Sequence, residues 1–128
     1  MSEPKPHAEP GLLDRNALEA IRALQSDAAP DLLARVIHLY LESAPDLIAR
    51  LRTGLEAGDY NAVRVAAHTL KSSSANLGAT ALAELCKQLE LAARAGIIGP
   101  GTPDAQAIER EYAAVRAALQ AEIGETTA

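Results

Sequence analysis

The chain has 128 residues, 48% hydrophobic and 23% charged, the size and composition of one globular domain with a core of its own. Its 12 Lys and Arg against 17 Asp and Glu leave a net charge of −5, which argues against nucleic acid as a partner, because such binding draws on a basic surface. No run approaches the ~18 apolar residues of a membrane span, no apolar secretory signal opens the chain, and the single Cys86 leaves no internal disulfide, so the expected location is the cytoplasm, with no membrane contact.

With 3 Tyr and neither Phe nor Trp the core must be aliphatic, and the abundance of Ala, Leu, Glu and Arg predicts helices throughout. Residues 1–11 hold three prolines and a glycine and read as a flexible leader, with the domain over 12–124. A first short helix starts with Asp14 or Asn16 as N-cap, turns Leu18, Ile21 and Leu24 inward, and ends over Ser26 to Pro30. The second opens at Pro30 or Asp31 and keeps a 3.6-residue period from Leu32 to Leu55, ending at Gly58. Pro45 interrupts its backbone hydrogen bonds, and the unbroken apolar phase predicts a kink in place of a break. His38, among apolar neighbours, reads as a packing or boundary residue.

Asp59 caps a third helix that runs to about Leu77, where Gly78 supplies a left-handed stop. A fourth covers Ala79 to Ala95, turns Leu82, Leu85 and Leu89 inward and closes at Gly96. Cys86 in this helix is expected to be a small buried hydrophobe. After a loop at Gly99, Pro100 and Gly101, the last helix starts near Pro103 or Asp104 and presents Ile108, Tyr112, Val115, Leu119 and Ile123. The predicted fold class is all-α: an antiparallel up-down four-helix bundle with an additional short N-terminal helix across one end.

The chemistry concentrates on the third helix. At about 100° per residue, His68 shares a face with Asn61, Arg64, Val65, Lys71, Ser72 and Ala75, while Val63, Ala66, Leu70, Ser73 and Leu77 form the opposite, core-facing stripe. A neutral imidazole is a competent nucleophile near neutral pH, and Lys71, three residues on, brings a positive charge suited to phosphoryl oxygens. Short side chains at Ser72 and Ala75 leave room for a large partner. The small residues Ala66, Ser73 and Ser74 predict close helix packing on the core side.

Residues 68–79, His-Thr-Leu-Lys-Ser-Ser-Ser-Ala-Asn-Leu-Gly-Ala, resemble the signature of the histidine-containing phosphotransfer (HPt) domains of bacterial phosphorelays, approximately His-x-Leu-Lys-Gly-Ser-x-x-x-Leu-Gly. The helix pattern extends the likeness over most of residues 12–123. Ser72 stands where the family usually has Gly, and its hydroxyl is able to donate to a phosphoryl oxygen.

The resemblance implies a two-component phosphorelay intermediate. His68 takes a phosphoryl group from the aspartate of a response-regulator receiver domain, which supplies the Mg²⁺, and passes it to another receiver. A hybrid sensor histidine kinase stands upstream, and the domain itself is a monomer with no metal site or autokinase activity. By the same resemblance Lys71, Ser72 and Glu90 bind or orient the phosphoryl group and the ring. Docking falls to Arg64, Val65 and Ala75, with Arg94 on the rim and Leu12, Leu13 and Ala17 as apolar anchors. Glu90 and Arg94 also read as a solvated pair at i and i+4. The competing function is a non-catalytic helical adaptor, against which His68 and Lys71 count.

Overall fold

The computed structural model describes residues 12–124, so the leader expected over 1–11 lies outside the described residues. Five helices follow in order: α1 (Arg15–Arg22), α2 (Leu32–Ala57), α3 (Tyr60–Asn76), α4 (Thr80–Ala95) and α5 (Ala105–Glu122). Helices α2 to α5 form an up-down bundle, joined by short turns except for the loop over 96–104 before α5, and α1 packs across one end, where the Asp14 N–H donates to the Gly78 carbonyl at 2.7 Å.

Local chemistry sets most of the boundaries. The carboxylates of Asp14, Asp59 and Asp104 accept from the backbone N–H of Asn16, Ala62 and Ala107, answering donors that a helix start leaves unpaired. Asp31 precedes α2 without a side-chain cap. There the Leu33 N–H goes instead to Oε1 of Gln25, at 3.0 Å. Left-handed glycines end α2 at Gly58 and α4 at Gly96, and Gly78 follows α3 with φ +79°. Helix α2 passes through Pro45 unbroken.

The core is aliphatic, built from residues such as Leu18, Ile37, Leu51, Leu70, Leu82, Leu89, Ile108 and Leu119, all fully buried. Two buried tyrosines, Tyr40 and Tyr112, pack with ring centroids 6.0 Å apart. Of the two serines expected on the core side of α3, Ser74 is fully buried and Ser73 only partly; the Ser74 Oγ lies 2.8 Å from the Tyr40 hydroxyl. The stripe centres on Leu70, and Ser74 at i+4 lies about 40° from that centre against about 60° for Ser73. On α4 Cys86 is fully buried and Leu85 only partly, and burial pushes the Cys86 thiol up to about 12. Leu24, expected inward, is 70% exposed, because α1 stops at Arg22 and no longer carries it round to the core face. His38 likewise lies on the exposed side of α2.

Charge ties α1 to the end of the bundle: Arg15 and Arg22 both donate to Glu122, Arg22 at 3.0 Å. The Arg15 hydrogen bond is the main cause holding the Glu122 carboxyl below the ordinary glutamate value, with Arg22 adding to it against burial. A carboxyl depressed by folding contributes stability that is present above its unfolded value of about 4.3 and is lost as pH falls through the folded one. Glu122→Gln should therefore flatten the acid limb of the unfolding free energy below about pH 5 and cost about 0.5 kcal/mol at neutral pH, a small figure because both arginines are solvent-screened. Urea titrations across pH check this, and parallel slopes for the two proteins would remove the tie from the stability account.

Candidate functional site

His68 sits in the middle of α3, about 160° round the helix from Leu70, so burying the stripe of Val63, Ala67, Leu70 and Ser74 turns the imidazole outward. Its side chain is 57% exposed. Helix α4 returns antiparallel after Gly78 and brings Glu90 level with the histidine. That carboxylate is buried, at 3% exposure for the residue, and its Oε2 lies 3.0 Å from His68 Nδ1. Three cationic or cation-forming groups thus converge on Glu90. Lys71 Nζ lies 2.7 Å from Oε1, and Arg94, one turn further along α4, donates to Oε2 at 3.0 Å.

A buried carboxylate needs such partners. Burial alone would push the Glu90 carboxyl up, but the contacts from Lys71 and His68 outweigh it and hold the group below the ordinary glutamate range. Glu90 is therefore an ionised acceptor with no proton to give, and the neutral imidazole facing it must place its own proton on Nδ1. Nε2 is left with a lone pair.

The other site residues expected from the sequence divide into two groups. Ser72 and Ala75 are exposed on the His68 face, and Val65 is 48% exposed one turn before the histidine. Arg64 is drawn back along α3 by a 2.8 Å hydrogen bond to Asn61 Oδ1. Leu12 and Leu13, expected as open anchors, are partly spent packing against the core, and Ala17 is half-buried. The solvated Glu90 and Arg94 pair is corrected in one respect: the pair forms, but Glu90 is not solvated.

What the sequence reading missed is a groove of about 620 Å³ between α2 and α3, whose lining includes Leu47, Ala49, Ala62, Val65, Ala66 and Thr69. Its signal was present in the small residues Ala49, Gly54, Ala57, Ala62 and Ala66. Gly54 shows why they matter, since a Cβ there would come within 2.9 Å of Val63 Cγ2.

The Hpt domain profile matches residues 35–121 of the chain. The chain belongs to the Hpt domain family. Histidine-containing phosphotransfer protein 2 of Arabidopsis thaliana is 29% identical over 113 residues, covering 86% of this chain and 72% of its own length. The crystal structure of histidine-containing phosphotransfer protein B from Pseudomonas aeruginosa PAO1 superposes with a TM-score of 0.78 at 31% identity, over 88% of this chain and 95% of that one. The phosphotransfer protein MtHPt2 of Medicago truncatula, at 23% identity, shares the fold with a TM-score of 0.72 over 93% of this chain and 88% of its own. Membership gives this Hpt domain a role in phosphorelay histidine phosphotransfer, in a family of phosphotransfer intermediates that work with receiver domains and kinases. Among the described residues no helix is long and apolar enough to cross a membrane.

Proposed function

We propose that this Hpt domain is a phosphorelay intermediate in which His68 Nε2 takes the phosphoryl group of a receiver-domain aspartyl phosphate and gives it to a second receiver. The observation that carries the reading is the buried Glu90 carboxylate on Nδ1, which leaves Nε2 as the nucleophile of an outward-facing ring. The receiver brings the Mg²⁺ and the acyl phosphate; this chain brings a positioned imidazole and a nearby ammonium. No nucleotide site is needed for such a step, so the domain passes the group on without autokinase activity.

Docking follows from the surroundings of His68. A receiver must cover Ser72 and Ala75 to reach the ring, and the apolar anchor nearest at hand is Val65 with the α2 and α3 groove beside it. Arg94, on the same Glu90 oxygen as the ring, forms the charged rim of this footprint, and Leu12, Leu13 and Ala17 complete its apolar part.

Purified receiver domains phosphorylated with acetyl phosphate test both parts. The wild-type chain should acquire acid-labile, base-stable label. Ala75→Arg keeps helix propensity and should lower the transfer rate at least about tenfold, a penalty of roughly 1.4 kcal/mol at the interface. A small phosphodonor such as phosphoramidate should label both proteins alike. An adaptor without chemistry would bind receivers and take no label. Equal retention of receiver transfer by Ala75→Arg would place the docking surface elsewhere on the bundle.

A further inference from the structure

The three groups on Glu90 are not equivalent. His68 Nδ1 and Arg94 both meet Oε2 at 3.0 Å as hydrogen bonds. Lys71 is the closest of the three by distance, yet Oε1 is a buried oxygen that accepts no well-aligned hydrogen bond among the described residues. The lysine contact is thus an ion pair held by charge and weakly held by direction. Lys71 also follows His68 by three residues, about 60° round the helix, so its flexible stem rises from the same face as the ring.

The charge count points to a use for this asymmetry. In the resting site one carboxylate faces two cations and a neutral ring. When the Nε2 lone pair forms the N–P bond, the P–O bond of the aspartyl phosphate breaks and its electron pair leaves on the aspartate carboxylate. No proton moves, so Nδ1 keeps its hydrogen and the ring becomes cationic. Three positive groups would then crowd Glu90 while the new phosphoryl oxygens carried negative charge with no counter-ion from this chain.

Building on the phosphotransfer reading, we propose that phosphorylation exchanges the cation on Glu90: Lys71 moves to the phosphoryl oxygens, the cationic ring replaces it, and Arg94 is the positioning residue that holds Glu90 through the exchange. Glu90 faces two positive charges before and after, which a buried carboxylate requires. Arg94 suits the holding part because it sits on the same helix as Glu90, four residues on, and is bound by direction as well as charge. Lys71 and Arg94 are accordingly redundant in the resting protein and separately required in the phosphorylated one.

The test compares Lys71→Met, Arg94→Met, Arg94→Lys and the Lys71→Met, Arg94→Met double variant with wild type, with folding verified by circular dichroism. Nitrogen-15 NMR of the histidine ring at about pH 9, above the ordinary imidazole range, reads the resting tautomer. Each single variant should keep the proton on Nδ1, and the double variant should lose that preference. Labelling with acetyl-phosphate-charged receiver domains reads the other state: Arg94→Met should lower phosphohistidine occupancy or lifetime by about fivefold, the effect of roughly one lost charge contact, and Arg94→Lys should restore most of it. If Arg94→Met alone scrambles the tautomer, Arg94 is a static support and the exchange is wrong. Wild-type occupancy and lifetime in Arg94→Met would overturn it equally. Failure of the wild type to take label from any receiver would instead remove the phosphotransfer reading itself, and the exchange with it.

Discussion

A His68→Gln variant is expected to accept no phosphoryl group from any receiver domain while keeping the fold and stability of the wild type. The loss should be complete because His68 is the ring fixed through Nδ1 on Glu90, and Cys86 is buried with its thiol pushed up to about 12, so it presents no thiolate. Stability should stay within about 1 kcal/mol, since the His68 side chain is 57% exposed and belongs to no part of the core. Receiver labelling followed by acid and base stability of the product checks the first half, and urea unfolding checks the second. Acid-labile label surviving on the variant would move the acceptor to another histidine.

Gly78→Ala should be the most damaging Gly→Ala change among the described glycines, at about 3 kcal/mol. Two costs combine there: an L-residue at φ +79° is strained by about 1–2 kcal/mol, and the new Cβ would fall 2.6 Å from the Asp14 carbonyl oxygen and 2.7 Å from its nitrogen. Those atoms are backbone, fixed by the hydrogen bond from Asp14 to Gly78, so relief requires α1 to lift off the end of the bundle. Gly96→Ala is the control, with a similar φ of 71° and nothing within 4 Å of the added carbon. It should lose only about 1 kcal/mol. Urea midpoints for both variants separate backbone strain from the α1 contact, and equal losses would show that the contact carries no weight.

Family membership, with the place of His68 in the bundle, narrows the chemistry, while the surroundings of the ring decide how this member performs it. A carboxylate at Glu90 accepts and never donates, so it admits one neutral tautomer of His68, whereas an amide would admit both. That constraint comes with a cost. A buried charge has to be balanced, and Lys71 and Arg94 supply the balance from two different helices.

Much of this was legible from residue order because its causes are local. Caps such as Asp59 and Asp104, the glycine stops at Gly58 and Gly96, and the apolar periods of α2 to α5 act within a turn or two of chain. The outward aspect of His68 follows from the same periodicity, since any helix that buries Leu70 must expose the residue about 160° away. Leu24 was misplaced because periodicity shows which face a residue would take but not where the helix ends. Ser73 and Ser74 both fall on the core side by period, and how deeply each is buried depends on the exact centre of the stripe, from which they differ by about 20°.

Tertiary structure decided how closely the expected partners meet and which of them lose contact with water. Glu90 is 22 residues from His68 and becomes its partner only because the turn at Gly78 lets α4 return closely against the small core side of α3. Only that packing buries the carboxylate, which turns a solvated helix pair with Arg94 into a charged cluster and draws Lys71 inward. The fate of Leu12 and Leu13 was settled the same way, when Asp14 docked on Gly78 and carried them against the core. Helix type and phase are short-range properties that a sequence states directly. Burial, and with it the cost or value of a charge, depends on which distant surface arrives to exclude water.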